Sequence, residues 1–525
     1  MVKWAEHQKS LQRVHRIKEL PHRKHSLRRF KRFRQEYKNT SIVFDDPLFK
    51  EQWYLLNTGQ TGSPPENDIN VFPVWESGIT GKGVRISVLD DGIDPGCEEV
   101  ADNYDSMSSE DFSYIHRKFI PVAENSHGTY CAAIAAGVAN NGICGVGVAY
   151  DAKIGGVRIL DGPVTDVQEA IALVHALDYV DIYTASWGPN DDGKTTAGPG
   201  KLAKLAFEKG VTEGRGGRGS IYAWAAGNGG RHLDNCNMDG YASSPYTLTI
   251  GALTADGRSA YYSEPCAAVI ASTYVGGSHT PLNARNFKRE RRKIKVVVPE
   301  GRGRCRQTFQ GTSAAAPMAA GAIALALQAN PRLGWRDVQH ILVRTSRVPD
   351  SGESGWKVNA AGHHFHLKAG FGVLDAEAMV KAARGWKNVG QLIKWTSQKV
   401  TDKKILLPHN SASIPLLVQK STMKPNHCID LLESVVATVG IADVPYGDIE
   451  LFLVSPSGTR SQILTRRPHD NTSHQLAHWD FLTLHFWGED PEGWWTLVVS
   501  NHADRRVGVL ESFSLTLRGT KLRYS

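Results

Sequence analysis

Two textures of hydrophobic patterning divide the chain. From about residue 45 to 385, short apolar runs alternate with stretches whose small and apolar residues recur at helical spacing. The runs VRISVL (84–89), DIYTASW (181–187), SIYAWAA (220–226) and TLTIGAL (247–253) have the length and β-branched or aromatic content of buried strands. Between and after them, GTYCAAIAAGVA (128–139), GTSAAAPMAAGAIALALQA (311–329) and GWRDVQHILVRTS (334–346) read as helices. Strands alternating with helices predict an α/β domain with a mostly parallel sheet and flanking helices. After about Trp386 the texture changes. ESVVATVGI, DIELFLVSP, LTLHFWG, WTLVVSN and SFSLTLRG are short strand patterns separated by Gly, Pro, Asn and Asp turns, which predicts a separate all-β sandwich.

In a parallel α/β sheet, reactive side chains collect at the carboxyl ends of strands and at the helix starts that follow. The stretch ISVLDDGID (86–94) ends a strand on Asp90 and Asp91. Successive strand side chains point to opposite sides, so the two acids serve different tasks. SHGTYCA places His127 at a helix start, and GTSAAAP places Ser313 at another. A hydroxyl becomes a nucleophile when an imidazole takes its proton, and a carboxylate fixes the imidazole's tautomer. Asn228 in WAAGNGG offers the amide donor that a developing oxyanion needs. Taken singly, HG and GTS are ordinary helix caps, DDG a turn and GNGG a loop. The four in the order Asp, His, Asn, Ser, each beside a suitable strand or helix, point to a serine hydrolase.

Charge and cysteine content refine this. The chain of 525 residues carries a formal +8. Residues 1–32 hold eleven Lys/Arg against two acids, and residues 285–295 (RNFKRERRKIK) hold seven against one. These two islands exceed the total, so the remainder is net acidic. No zinc, helix-turn-helix or RNA-binding signature accompanies the islands, and nucleic acid is not an expected partner. No apolar stretch is expected to be long enough to cross a bilayer, so no anchor is expected. The seven cysteines lack CxxC spacing, which argues against a metal cluster. Sequons stand at Asn39 and Asn471. The opening MVKWAEHQKS lacks the apolar core of a signal peptide, so the protein is either cytosolic or a chain given without its true start, and the catalytic reading below favours the second.

The motifs DPLFKEQWYL, LDDGID, NNGICGVGVAY, ASWGPNDDGKT, GRGGRGSIYAWAAGNGG, CNMDGYASS and GTSAAAP resemble the kexin/furin branch of the subtilisin-like serine proteases, the proprotein convertases. LFLVSPSGTRSQIL and EGWWTLVVSN resemble that branch's jelly-roll P domain, and the resemblance runs from Asp46 to about Gly519. It implies a prodomain remnant over 1–32, a subtilisin-like catalytic domain over 33–385 and a P domain over 386–525. It assigns Asp90, His127 and Ser313 as the triad and Asn228 as oxyanion donor. Asp191 and Asp239 would hold an Arg at the cut, Asp91 and Glu124 the preceding basic residue, and Glu169 one further upstream. The expected reaction is cleavage of precursor proteins after Lys-Arg or Arg-Arg. Calcium is the implied cofactor. Its first site would use Asp46, Glu99 and Asn141 with backbone oxygens of Val138, Ile143 and Gly145. Its second would use Asp191, Asp234 and Glu264. The implied bridges are Cys144–Cys305 and Cys236–Cys266, with Cys97, Cys131 and Cys428 left over. Disulfides suit the secretory pathway or secretion.

The basic tail ends in RFKR, so cleavage after Arg32 is expected, with the tail able to sit in the acidic cleft as an intramolecular inhibitor. A monomer is expected. Departures from the family pattern include Ala197 where an acid often stands, Tyr130 after HGT in place of an Arg, and the loop SMSSEDFSY, poor in acids for a third calcium site. RERR (289–292) is a candidate regulatory loop or a plain solvated insertion. A catalytically impaired convertase-like binding protein or chaperone is the competing reading.

Overall fold

A computed structural model describes residues 10–15, 42–113, 126–160, 162–279, 296–301, 303–349, 352–423, 428–473 and 478–521. A seven-stranded sheet runs in the order Val269–Tyr274, Thr247–Leu253, Ile221–Ala225, Ile182–Ala185, Arg85–Asp90, Lys153–Arg158, Glu110–Asp111, with every pairing parallel. Helices cover both faces, so the strands are apolar throughout rather than alternating. Arg85–Asp90 lies inside the sheet and is buried at every position but Arg85. Its carboxyl end is therefore fixed by neighbours on both sides.

The helix Thr312–Ala329 is built almost wholly of Ala, Gly and small aliphatic residues, and it is buried along nearly its whole length. Small side chains let it pack closely against the helix His127–Ala136 and against several strands. This corrects one expectation: the helix is long and apolar enough to cross a membrane, yet it forms the interior of the fold. The helix begun at His127 is also shorter than its apolar pattern. It stops at Ala136, and the Val138 N–H turns away to the Glu99 carbonyl at 2.8 Å.

Residues beyond the helix Ala376–Arg384 form two antiparallel sheets. One holds Ile393–Thr396, Gly508–Thr520, Leu431–Ala442 and Trp479–Thr483 with Lys404–Leu406, and the other holds Asn410–Val418, Gly493–Asn501, Ile449–Val454 and Arg460–Leu464. Ile449–Val454 alternates buried and half-buried residues, as expected of a strand with one face on a sandwich core.

Two buried ion clusters join the sandwich to the α/β domain. Arg467 is 1 % exposed; its Nε donates to Asp234 at 2.9 Å, and its other nitrogens donate to Asp470 at 2.8 Å and the Thr195 carbonyl at 2.7 Å. Glu433 accepts from Arg336 at 2.8 Å and meets His340 at 3.0 Å. Removing one partner of such a pair strands the other charge in a dry interface. Arg467→Ala is expected to destabilise the protein by about 3–5 kcal/mol, read as a lowered urea midpoint. An exposed control such as Lys403→Ala, whose pair with Glu511 is open to solvent, is expected to change stability by less than about 1 kcal/mol.

Candidate active site

The strand end at Asp90–Asp91 organises the site. The Asp90 carboxylate is wholly buried, and its two oxygens lie 2.8 and 2.9 Å from His127 Nδ1. Burial alone would raise the Asp90 pKa, but His127 and His15 outweigh it and hold the group well below the usual carboxylate range. Asp91, just past the end of the strand Arg85–Asp90, contacts the same helix start through that helix's backbone rather than through the ring. Its oxygens accept the backbone N–H of His127 at 3.2 Å and of Gly128 at 2.7 Å, so it caps the helix that carries the imidazole. Burial first, then repulsion from Asp90, raises its pKa. Gly128 is required at this junction, since a Cβ there would lie 2.1 Å from the Gly92 carbonyl. This helix-capping task was missed in the sequence, where the HG pair is its only trace.

Ser313 sits at the second position of its helix. Pro317 has no N–H to give the carbonyl four residues back, which is that of Ser313. The freed oxygen accepts the Ser186 hydroxyl at 3.1 Å and faces the Cys131 thiol at 3.6 Å. Cys131 Sγ is also 4.0 Å from His127 Nδ1, so the two helix starts meet across it. Burial pushes the Cys131 thiol up, which makes it a packing group. The Ser313 hydroxyl donates to the Ser186 carbonyl at 3.4 Å, and His127 Nε2 has no hydrogen-bond partner. The bond between the Ser313 hydroxyl and the imidazole is thus open in this conformation.

Asn228 follows the strand Ile221–Ala225. Its Oδ1 accepts from the Thr312 N–H at 3.0 Å and the Thr312 hydroxyl at 3.1 Å, while its own N–H donates to Asp191 at 2.8 Å. These bonds fix the amide and leave Nδ2 buried without a partner. An orphan donor beside a serine is what an oxyanion site offers.

Asn190, Asp191, Asp234, Met238, Asp239 and Glu264 line one narrow pocket next to this amide. The residues expected to bind Arg and those expected to bind a second calcium therefore share a wall. Glu264 accepts the Gly229 N–H at 2.9 Å, and Asp234 faces Arg467 of the sandwich. Calcium's first implied site passes a stricter test. Glu99 is buried, its Oε2 lacks any partner, and burial first, then Asp46, pushes its pKa up to about 9. Asp46 and Asn141 come to it from two other segments, with Asp46 accepting the Asn140 and Asn141 N–H groups. A buried carboxylate oxygen left unmatched among hard donors fits a calcium ion. The disulfides are Cys144–Cys305 and Cys236–Cys266, and Cys97, Cys131 and Cys428 lie outside them. Glu124, Arg32 and the RERR loop lie outside the described residues.

The cleft is not bare. Ser10–Leu11 pairs antiparallel with Val164–Thr165, and Val14–His15 pairs antiparallel with Trp187–Gly188. Arg13 reaches between them into a pocket where its Nε donates to Glu169 at 2.8 Å and another nitrogen donates to the Tyr241 hydroxyl at 2.6 Å. Tyr241 also donates to Glu169. The phenol thus supplies a polar contact beside Glu169, a role that reading NMDGY had not given to its tyrosine. His15 lies over His127, with ring centroids 4.1 Å apart.

Fold and site define a subtilisin-like serine endopeptidase with an Asp-His-Ser arrangement. The chain matches the Subtilase family over residues 81–372 and the Proprotein convertase P-domain over residues 432–517. It is 43 % identical over 509 residues to a PC3-like endoprotease variant B of Hydra vulgaris, covering 96 % of this chain and 67 % of that one. It is also 43 % identical over 497 residues to human proprotein convertase subtilisin/kexin type 6 (91 % of this chain, 49 % of the relative) and over 480 residues to Furin-1 of Xenopus laevis (90 % and 59 %). The crystal structure of a serine protease of Aeromonas sobria superposes with a TM-score of 0.75 at 22 % identity, covering 91 % of this chain and 96 % of that one, which speaks for the fold. The chain belongs to the subtilase family, in its proprotein convertase branch, and spans about half to two thirds of the length of these curated relatives.

Removing the orphan amide is expected to matter for rate more than for binding. Asn228→Ala should lower kcat by about 10²–10³-fold with little change in KM. Asp90→Asn, which loses the acceptor for His127 Nδ1, should lower kcat by about 10⁴-fold. Steady-state hydrolysis of a peptide substrate measures both.

Proposed function

We propose that the chain is a calcium-dependent serine endoprotease that cuts precursor proteins after paired basic residues, Lys-Arg or Arg-Arg. Ser313 attacks the scissile carbonyl, His127 takes the hydroxyl proton and returns it to the leaving amine, and Asp90 holds the imidazole tautomer. Asn228 Nδ2 donates to the oxyanion. Asp191 and Asp239 receive the Arg at the cut. Asp91, with Glu124, receives the residue before it, and Glu169 a basic residue further upstream. One observation carries the reading: the cleft accommodates an extended basic segment of the chain itself, strand-paired to Trp187–Gly188, with Arg13 on Glu169. An acidic cleft that holds arginine by a buried charge-assisted hydrogen bond is suited to basic substrates.

The same reading makes residues 1–32 a prodomain remnant that occupies the cleft until cleavage after Arg32, followed by the catalytic domain over 33–385 and the P domain over 386–525. The protein acts as a monomer on precursors with multibasic sites, in the secretory pathway or outside the cell, where its two disulfides are stable. Calcium would be held by Asp46, Glu99 and Asn141 with the Val138, Ile143 and Gly145 carbonyls, and in the acidic pocket by Asp191, Asp234 and Glu264. Bound there, it supplies positive charge that draws loop carboxylates together.

Hydrolysis of an Arg-Val-Lys-Arg fluorogenic peptide is expected, falling about thirtyfold or more when Ala replaces Lys and vanishing in Ser313→Ala. Turnover surviving that substitution would sink the mechanism, and indifference to Lys would sink the paired-basic specificity. Calcium affinity, read from the rise in thermal midpoint, should strengthen as pH climbs from 5.5 to 8. The raised Glu99 pKa means that metal must displace a proton there, which is harder at low pH. Glu99→Gln should flatten that dependence, and chelator should abolish turnover.

A further inference from the structure

In the tail, the position nearest the triad is a histidine, where a Lys or Arg is the expected ligand of Asp91. His15 Nε2 lies 3.1 Å from Asp90 Oδ1 and 3.8 Å from Asp91 Oδ2. Its ring stacks on His127 at an interplanar angle of 10°. Two neighbours fix this placement: Val14 is paired with Gly188, and Arg13 is anchored on Glu169 and Tyr241. The imidazole is thus held by backbone on one side and by a planar partner on the other, and one nitrogen lies at ion-pair distance from two carboxylates, though not in hydrogen-bond geometry. A lysine ammonium could meet the same carboxylates but could not stack.

We propose that the subsite beside the triad reads histidine, in its charged form, as a basic residue, so that Arg-X-His-Arg sequences form a second substrate class with acid-favoured binding. This rests on the proteolytic reading above and extends it from paired Lys/Arg to a proton-dependent ligand. The groups facing the His15 ring are the Asp90 and Asp91 carboxylates at the strand end and the His127 imidazole at the helix start. Burial on its own would lower the His15 pKa, but Asp90 and then Asp91 outweigh it and the net shift is upward. A free histidine titrates near about 6.5. A group whose pKa rises on binding contributes fully below its free value, and that contribution is lost as pH climbs through the bound value. Lysine stays charged over the same window. The tail residues Arg13-Val14-His15, which Arg16 follows in the sequence, are by this argument the first member of the class.

The experiment compares three fluorogenic peptides, Arg-Val-His-Arg, Arg-Val-Lys-Arg and Arg-Val-Gln-Arg, on the full chain with calcium from pH 5.5 to 8. Ratios of kcat/KM cancel any pH dependence common to the three peptides and any competition from the tail, which affect all three alike. The His peptide should exceed the Gln peptide about tenfold at pH 5.5 and match it by pH 8, while the Lys-to-His ratio rises about tenfold. A flat Lys-to-His ratio, or a His peptide no better than Gln at pH 5.5, overturns the proposal. Fluorescence anisotropy with Ser313→Ala gives the same comparison for binding alone. Absence of hydrolysis together with pH-dependent binding of the His peptide would overturn the proteolytic reading and leave the subsite intact. A Kd ratio of His to Lys peptides that ignores pH would overturn the subsite whatever the turnover.

Discussion

The contact between the Asp90 carboxylate and His127 Nδ1 is the constraint on which the cleft depends. A wholly buried carboxylate is costly unless its charge is met at close range. Here it is met by the imidazole at 2.8 Å and by the Asp91 N–H at 2.8 Å. The residue just past the strand then does a second thing. Asp91 accepts the His127 and Gly128 N–H groups, so the acid pair that fixes the ring's tautomer also caps the helix on which the ring is mounted. One piece of backbone sets both the tautomer and the pose of the imidazole. The serine helix is located independently, through the carbonyl that Pro317 leaves open to Ser186 and Cys131. The two halves can therefore meet only where both helix starts are held.

The acidic pocket poses the opposite problem. Asp191, Asp234, Asp239 and Glu264 crowd one wall, and like charges at that spacing oppose folding. The protein meets part of this from within, by sending Arg467 across from the β-sandwich to Asp234. The sandwich thus completes the electrostatics of the pocket, which gives a physical reason for two domains of unlike architecture to share a buried ionic interface.

The triad was legible in the sequence because each member lies at a strand end or helix start marked by a local motif. The parallel sheet was legible because its strands are apolar on both faces. Pairwise contacts far apart in sequence left less trace. Nothing about Arg467 in TRRPHD distinguishes it from Arg466 beside it, although one is buried on Asp234 and the other faces solvent near Asp448. The basic tail's attraction to an acidic cleft could be read from charge alone. Which of its residues sit there could not, since register is set by backbone pairing with Val164–Thr165 and Trp187–Gly188 rather than by charge. The apolar helix Thr312–Ala329 was under-read for a related reason: composition alone does not separate a core helix from a spanning one.

Tethering changes what the tail contacts mean. A segment belonging to the same chain competes at an effective concentration set by its linker rather than by the solution, on the order of millimolar for short flexible tethers. At that level even modest contacts hold the cleft against dilute peptide. Arg13, with its side chain 2 % exposed on Glu169, is a permanent anchor, since a guanidinium does not titrate in the accessible range. If the residue next to the triad were also a permanent cation, occupancy would answer to almost nothing but proteolysis. On the proposed reading, a histidine there would split the hold into a fixed part and a part that follows protons.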